Sequence, residues 1–220
     1  IANDAAVNQA RTHNGITPLW IAAENGHLEI IKELIANAAD VNQARTTGGA
    51  SPLFIAAYKG HTEIVKALIA ADAAVNQTRT DIGVSPLFTA ARYGYHEIVK
   101  ALIAANAAVN QARTDCGMTP LYIAAAYGHL EVVTVLIAAK AAVNQARTDN
   151  GMTPLYIAAA YGHLEVVTVL IAAKAAVNQA RTDDGATPLH IAAYQGHLRI
   201  TEALFRNGAD YKTQLALAEN

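Results

Sequence analysis

Apolar residues recur along this chain in short clusters separated by polar stretches of constant length. Between His129 and Ala139, Leu130, Val133, Leu136 and Ile137 fall at helical spacing, which predicts a helix with one apolar face. A shorter apolar run precedes it, opening at Thr119-Pro120-Leu121 and stopping at Gly128. A hydroxyl before proline caps a free backbone N–H, and proline at the first helical position loses no hydrogen bond. Glycine accepts the left-handed conformation that ends a helix. The run is therefore an earlier, separate helix. Beyond the pair lies a polar stretch, Asn144 to Asn150, whose closing Asn150-Gly151 signals a tight hairpin turn. Alanine pairs such as Ala124-Ala125 let neighbouring helices approach closely.

The pattern returns every 34 residues. All six prolines follow Thr or Ser and precede Leu, at Pro18, Pro52, Pro86, Pro120, Pro154 and Pro188. Gly26, Gly60, Gly94, Gly128, Gly162 and Gly196 keep the same step, each followed by His except where Tyr95 stands. Val-Asn-Gln-x-Arg-Thr begins at Val7, Val41, Val75, Val109, Val143 and Val177. One such unit cannot bury its apolar face alone, so the copies must stack.

These markers resemble the ankyrin repeat, whose signature T-P-L-H-x-A is most complete at Thr187-Pro188-Leu189-His190-Ile191-Ala192. The resemblance implies an all-α repeat solenoid, an ankyrin-type stack of helix-turn-helix units with hairpin loops. Six repeats span residues 7–210, within a single array over 1–220. Residues 1–6 align with the tail of a preceding unit, and an upstream unit or cap is expected before them. Residues 211–220 echo the start of a first helix and read as a partial capping helix. Two features depart from the family. The step exceeds the usual one by a residue in the hairpin, and the signature His is replaced by Trp20, Phe54, Phe88, Tyr122 and Tyr156.

Composition narrows the function. The chain is 53% hydrophobic, which excludes a disordered polymer, and only 6% aromatic, which suits thin helices packed closely. A net charge of −2 argues against attachment to nucleic acid by bulk charge. The single cysteine, Cys116, excludes an internal disulfide framework and a Cys-based zinc site. No apolar run approaches the roughly 20 residues of a membrane span, and no signal peptide is visible. A cytoplasmic, monomeric protein without cofactor is expected.

The repeats differ from one another in few columns. The hairpin tip carries Ile82 and Cys116, the position after its glycine carries Val84, Met118 and Met152, and the end of the first helix carries Tyr58, Arg92, Tyr93, Tyr127, Tyr161 and Tyr194. In ankyrin-like stacks, hairpin tips and first helices line the concave face that grips protein partners. Tyrosine supplies large contact area at low entropy cost. Tyr58, Ile82, Val84, Arg92, Tyr93, Met118, Tyr127, Met152, Tyr161 and Tyr194 are therefore the expected partner-binding residues. Equivalent side chains should line up as neighbouring rows.

Other chemistries fare worse. Histidines on adjacent helices, about 8–10 Å apart, cannot share a zinc ion whose donors each sit about 2 Å from it; they are expected to brace the inter-helix turn. Cys116, at a hairpin tip without a neighbouring His, reads as a surface thiol rather than a nucleophile. The row Arg11, Arg45, Arg79, Arg113, Arg147 and Arg181 could track phosphates, yet Asp81, Asp115, Asp149 and Asp183 follow four of them at the distance that shares a face. Asn76-Gln77-Thr78 matches a glycosylation acceptor by chance. No catalytic or metal site is expected.

Residues 107–149 and 141–183 differ only at Cys116 against Asn150. Either a duplication is recent or the array was assembled from one cassette, as in designed ankyrin-repeat proteins. The alternative to a partner-binding scaffold, possible for an engineered array, is a structural repeat object with no natural ligand.

Overall fold

Every proline-led helix begins on a buried hydroxyl. In the computed structural model, which describes residues 7–210, Thr17, Ser51, Ser85, Thr119, Thr153 and Thr187 are at most 2% exposed. The first five accept the backbone N–H of the residue three places on, each at 3.1 Å. Only Thr187 uses a side chain as partner: His190 Nδ1 accepts its backbone N–H at 3.2 Å and lies 2.7 Å from its hydroxyl. The imidazole bond of the family signature is thus made once.

The described residues form two compact units that divide after Asp115. The first contains α1 (Pro18–Asn25), α2 (Leu28–Ala36), α3 (Pro52–Lys59), α4 (Thr62–Ala70), α5 (Pro86–Arg92) and α6 (His96–Ala104). The second contains α7 (Pro120–Ala126), α8 (Leu130–Ala138), α9 (Pro154–Ala160), α10 (Leu164–Ala172), α11 (Pro188–Tyr194) and α12 (Leu198–Arg206). Within each unit the proline-led helices pack in one layer and their partners in another, α1–α3–α5 over α2–α4–α6 and α7–α9–α11 over α8–α10–α12. Each unit is a stack of three helix-turn-helix repeats. No strand occurs among the described residues. The expected tail at residues 1–6 and capping helix at 211–220 lie outside the described residues.

The core is thin and built from small side chains. Leu19, Leu53, Leu87, Leu121 and Leu155 are each 1% exposed, and the alanine pairs Ala56-Ala57, Ala90-Ala91, Ala124-Ala125 and Ala158-Ala159 are fully buried. The buried face of α8 differs from the periodic reading. Val132, Val133 and Leu136 are buried, whereas Leu130 and Ile137 are half-buried. A two-layer stack presses on each second helix from its paired helix and from neighbouring repeats, so burial spreads beyond one stripe.

Hairpins close by a backbone bond across the tip, such as Arg147 N–H to the Met152 carbonyl at 2.9 Å. Successive hairpins are joined in turn: Thr80 donates to Gly48, Thr148 to Cys116 and Thr182 to Asn150. Gly151 shows the constraint on the tip. Its φ is +72°, and a Cβ there would come within 2.8 Å of the Thr182 methyl.

The Val-Asn-Gln marker proves to be a tie between repeats. Asn42 Nδ2 donates to the Asp72 carbonyl at 3.4 Å, and its Oδ1 accepts the Ala74 N–H at 2.7 Å. Asn8, Asn76, Asn144 and Asn178 make the same pair of bonds. The residue held is the left-handed one after the second helix: Ala38, Asp72, Asn106 or Lys174, with φ between 60° and 67°, or Gly208. Such a conformation costs an L-residue about 1–2 kcal/mol unless it is glycine or asparagine. Lys174→Gly is expected to stabilise the protein by about 1 kcal/mol, and Asn106→Gly by clearly less, as measured by urea denaturation.

Candidate functional site

Four of the hairpin arginines reach back over the preceding repeat. Arg45 lies over Trp20 at 5.6 Å, Arg79 over Phe54 at 5.8 Å, Arg147 over Tyr122 at 5.8 Å and Arg181 over Tyr156 at 5.6 Å. The aromatic that displaces the signature His is therefore a seat for the next repeat's guanidinium. The far edge of that guanidinium meets its own hairpin's aspartate. Arg79 Nε donates to Asp81 at 3.0 Å, Arg113 to Asp115 at 3.0 Å, Arg147 to Asp149 at 2.8 Å and Arg181 to Asp183 at 2.9 Å. These hydrogen bonds hold Asp81, Asp149 and Asp183 below the usual carboxylate range. Burial pushes the Tyr122 hydroxyl up, against the opposing pull of Arg147.

The histidines brace inter-helix turns, each in the repeat before its own. Nε2 of His61, His163 and His197 lies 3.2, 3.0 and 3.3 Å from the carbonyls of Glu24, Ala126 and Ala160. Each ring fills the space where a Cβ on Gly26, Gly128 or Gly162 would stand. Tyr95 puts its phenol ring in the same socket over Gly60, so the Tyr-for-His exchange preserves the packing. Among the described residues no cluster of three or more His, Cys, Asp or Glu could hold a metal ion. Asn76 commits both side-chain atoms to the inter-repeat tie, leaving its amide nitrogen engaged rather than presented for glycosylation. Cys116 corrects the sequence reading: it is buried, 7% exposed, because the hairpin tip packs against its neighbours instead of standing in solvent.

The expected partner-binding residues gather within each unit. In the first unit, Tyr58 and Tyr93 meet edge to face at 5.3 Å, with Lys59 over one ring and Arg92 over the other. Together with Ile82 they surround a hollow of about 90 Å³. Val84 lines it too, but is buried and offers a partner little surface. In the second unit, Met118, Met152, Tyr127 and Tyr161 line a hollow of about 620 Å³, floored by Tyr122, Ile123 and Ile157. Its rim is open, with Tyr127 51% and Tyr161 62% exposed. Inside, polar groups are occupied: the Tyr122 hydroxyl points at Met152 sulfur, and Arg147 Nη1 at Met118 sulfur. Tyr194 is 84% exposed and lies in neither hollow.

A family model for ankyrin repeats matches three times, over residues 1–81, 73–147 and 139–214. The chain belongs to the ankyrin-repeat family. A crystal structure of the human ASB11 ankyrin repeat domain is similar to it, with a TM-score of 0.77 and 30% identity over 90% of this chain and 86% of that one. No curated protein sequence matches. No described helix is long and apolar enough to cross a membrane. Ankyrin repeats mediate contacts between proteins, and a non-catalytic repeat scaffold fits this chain.

Sequence reasoning missed the arginine–aromatic seat and the asparagine tie. A signal for the first was present: the aromatic replaces His only where an arginine follows 25 residues later. Two hairpins in this ankyrin array lack the aspartate: His13 stands two places after Arg11, and the second case is the one with an aromatic seat. Arg45 stacks on Trp20 but Thr47 occupies the aspartate position, and Arg45 Nε is buried without a hydrogen-bond partner among the described residues. Thr47→Asp is expected to raise the unfolding free energy at pH 7 by about 1 kcal/mol. A carboxyl whose native pKa is lowered stabilises fully above its unfolded value, about 4, and less as pH falls through the native value. The gain should therefore vanish in urea denaturation on going from pH 7 to below the native pKa.

Proposed function

We propose that this ankyrin array binds a protein partner through the side of each unit that carries the hairpin tips and first helices. The observation that carries this reading is the second unit's hollow, apolar at its floor and ringed by exposed tyrosines. Tyrosine rings half in solvent have contact area to offer that the fold itself does not consume. The columns that vary between repeats supply these rims, while the asparagine that ties one repeat to the next stays the same. Preordered side chains lose little freedom on association, so a rigid surface of this kind favours tight recognition.

The rival, a structural array without ligand, draws on one fact: residues 107–149 and 141–183 are copied almost unchanged, rim tyrosines included. The two readings separate experimentally. For a partner recovered by an unbiased interaction screen, changing Tyr93, Tyr127 and Tyr161 together to Ala should weaken binding at least tenfold, or about 1.4 kcal/mol, with the far-ultraviolet circular dichroism unchanged. Undiminished affinity moves the site elsewhere. A screen that returns nothing above background supports the rival.

A further inference from the structure

Arg45 differs from the other hairpin arginines seated on a ring. Arg79, Arg147 and Arg181 each stack on an aromatic ring of the preceding repeat and each hold an aspartate two residues on. Arg45 has the ring, Trp20, without the carboxylate, because its hairpin reads Arg45-Thr46-Thr47. Its Nε is closed off from solvent and donates to nothing among the described residues.

A hollow of about 350 Å³ in the first unit lies against this guanidinium, walled by Trp20, Phe54 and Tyr58. Four charged groups face it. Arg79 is neutralised by Asp81, and Lys59 Nζ stands 4.0 Å from Glu24. Two cations are thus matched by two carboxylates, and the positive charge of Arg45 is left over. Aromatic walls lower the local dielectric, which strengthens a charge-assisted hydrogen bond formed there.

We propose that this hollow receives the carboxylate of an aspartate or glutamate side chain from the partner. That carboxylate supplies at Arg45 the charge that Asp81 and Asp149 supply in their own hairpins. The inference rests on the protein-binding reading above and deepens it by giving the partner a chemical requirement at one place. An acidic side chain fits better than an apolar one because the hollow carries a net positive charge, whereas the second unit's hollow has its arginine already paired.

Trp20 reports on the site directly. It is the chain's single tryptophan, is buried, and lies beneath Arg45. Titration with N-acetyl-glutamate α-amide at constant ionic strength should change its fluorescence saturably. N-acetyl-glutamine α-amide, isosteric but neutral, should produce a change at least fivefold smaller. Thr47→Asp fills the vacancy from within, using the residue its sister hairpins carry, and should suppress the response at least fivefold while circular dichroism stays the same. Equal responses to the two amides, a silent Trp20, or an undiminished response in Thr47→Asp overturns the proposal. The readout is independent of partner affinity. If the tyrosine substitutions abolish partner binding while Trp20 stays silent, protein binding stands and the carboxylate subsite falls.

Discussion

A guanidinium laid across an aromatic ring of the preceding repeat is the contact from which the departures of this array follow. It requires a flat apolar surface at the position where the family signature has histidine, and Trp20, Phe54, Tyr122 and Tyr156 provide it. It also requires an arginine on the hairpin, carried by the longer hairpin segment, and it favours a carboxylate beside that arginine once ring stacking has drawn the charge partly out of water. The sixth repeat shows the converse. The residue that stands 25 places beyond His190 is Leu215, not arginine, and here the histidine is retained and bonds Thr187 instead. Ring and guanidinium are one device, present or absent together.

That device separates what could be read from the sequence from what could not. Helix starts, stops and hairpin turns were legible because their chemistry is local: a hydroxyl, a proline and a glycine within a dozen residues. The asparagine tie, the histidine socket and the arginine seat join residues 25 to 37 positions apart. No local pattern encodes them, and each becomes visible only when equivalent positions of adjacent repeats are superposed. The burial of Cys116 was hidden for the same reason. A polar turn reads as a solvent-exposed tip, yet here Thr148 of the next hairpin donates its N–H to the Cys116 carbonyl.

Variation between repeats located the candidate faces but did not sort their members. Val84 and Tyr127 both sit in variable columns, yet Val84 is 7% exposed and Tyr127 51%. Variation says that packing tolerates several side chains, and a buried pocket of adequate size does so as readily as solvent. Exposure and occupied hydrogen-bonding groups then divide the columns. Arg147 belongs to the framework despite its charge and partial exposure, because ring, carboxylate and sulfur engage its guanidinium. Tyr161 belongs to the surface despite its size.

The left-handed column gives the clearest view of how the inter-repeat contacts share the work. Five of its six members are not glycine and four of them, all but Asn106, carry conformational strain, which suggests that the asparagine tie exists to force them into place. Gly208 argues otherwise. It adopts the same conformation at φ 84° without strain from a Cβ, and Asn178 still holds its carbonyl at 3.0 Å and the Asp210 N–H at 2.9 Å. A tie that persists where nothing needs forcing is a joint between repeats. Strain at Lys174 is then a local cost that the joint tolerates, since its carbonyl is gripped as that of Gly208 is. The column can therefore change its side chain freely so long as the backbone keeps its turn, and this is why Ala, Asp, Asn, Lys and Gly all occur there.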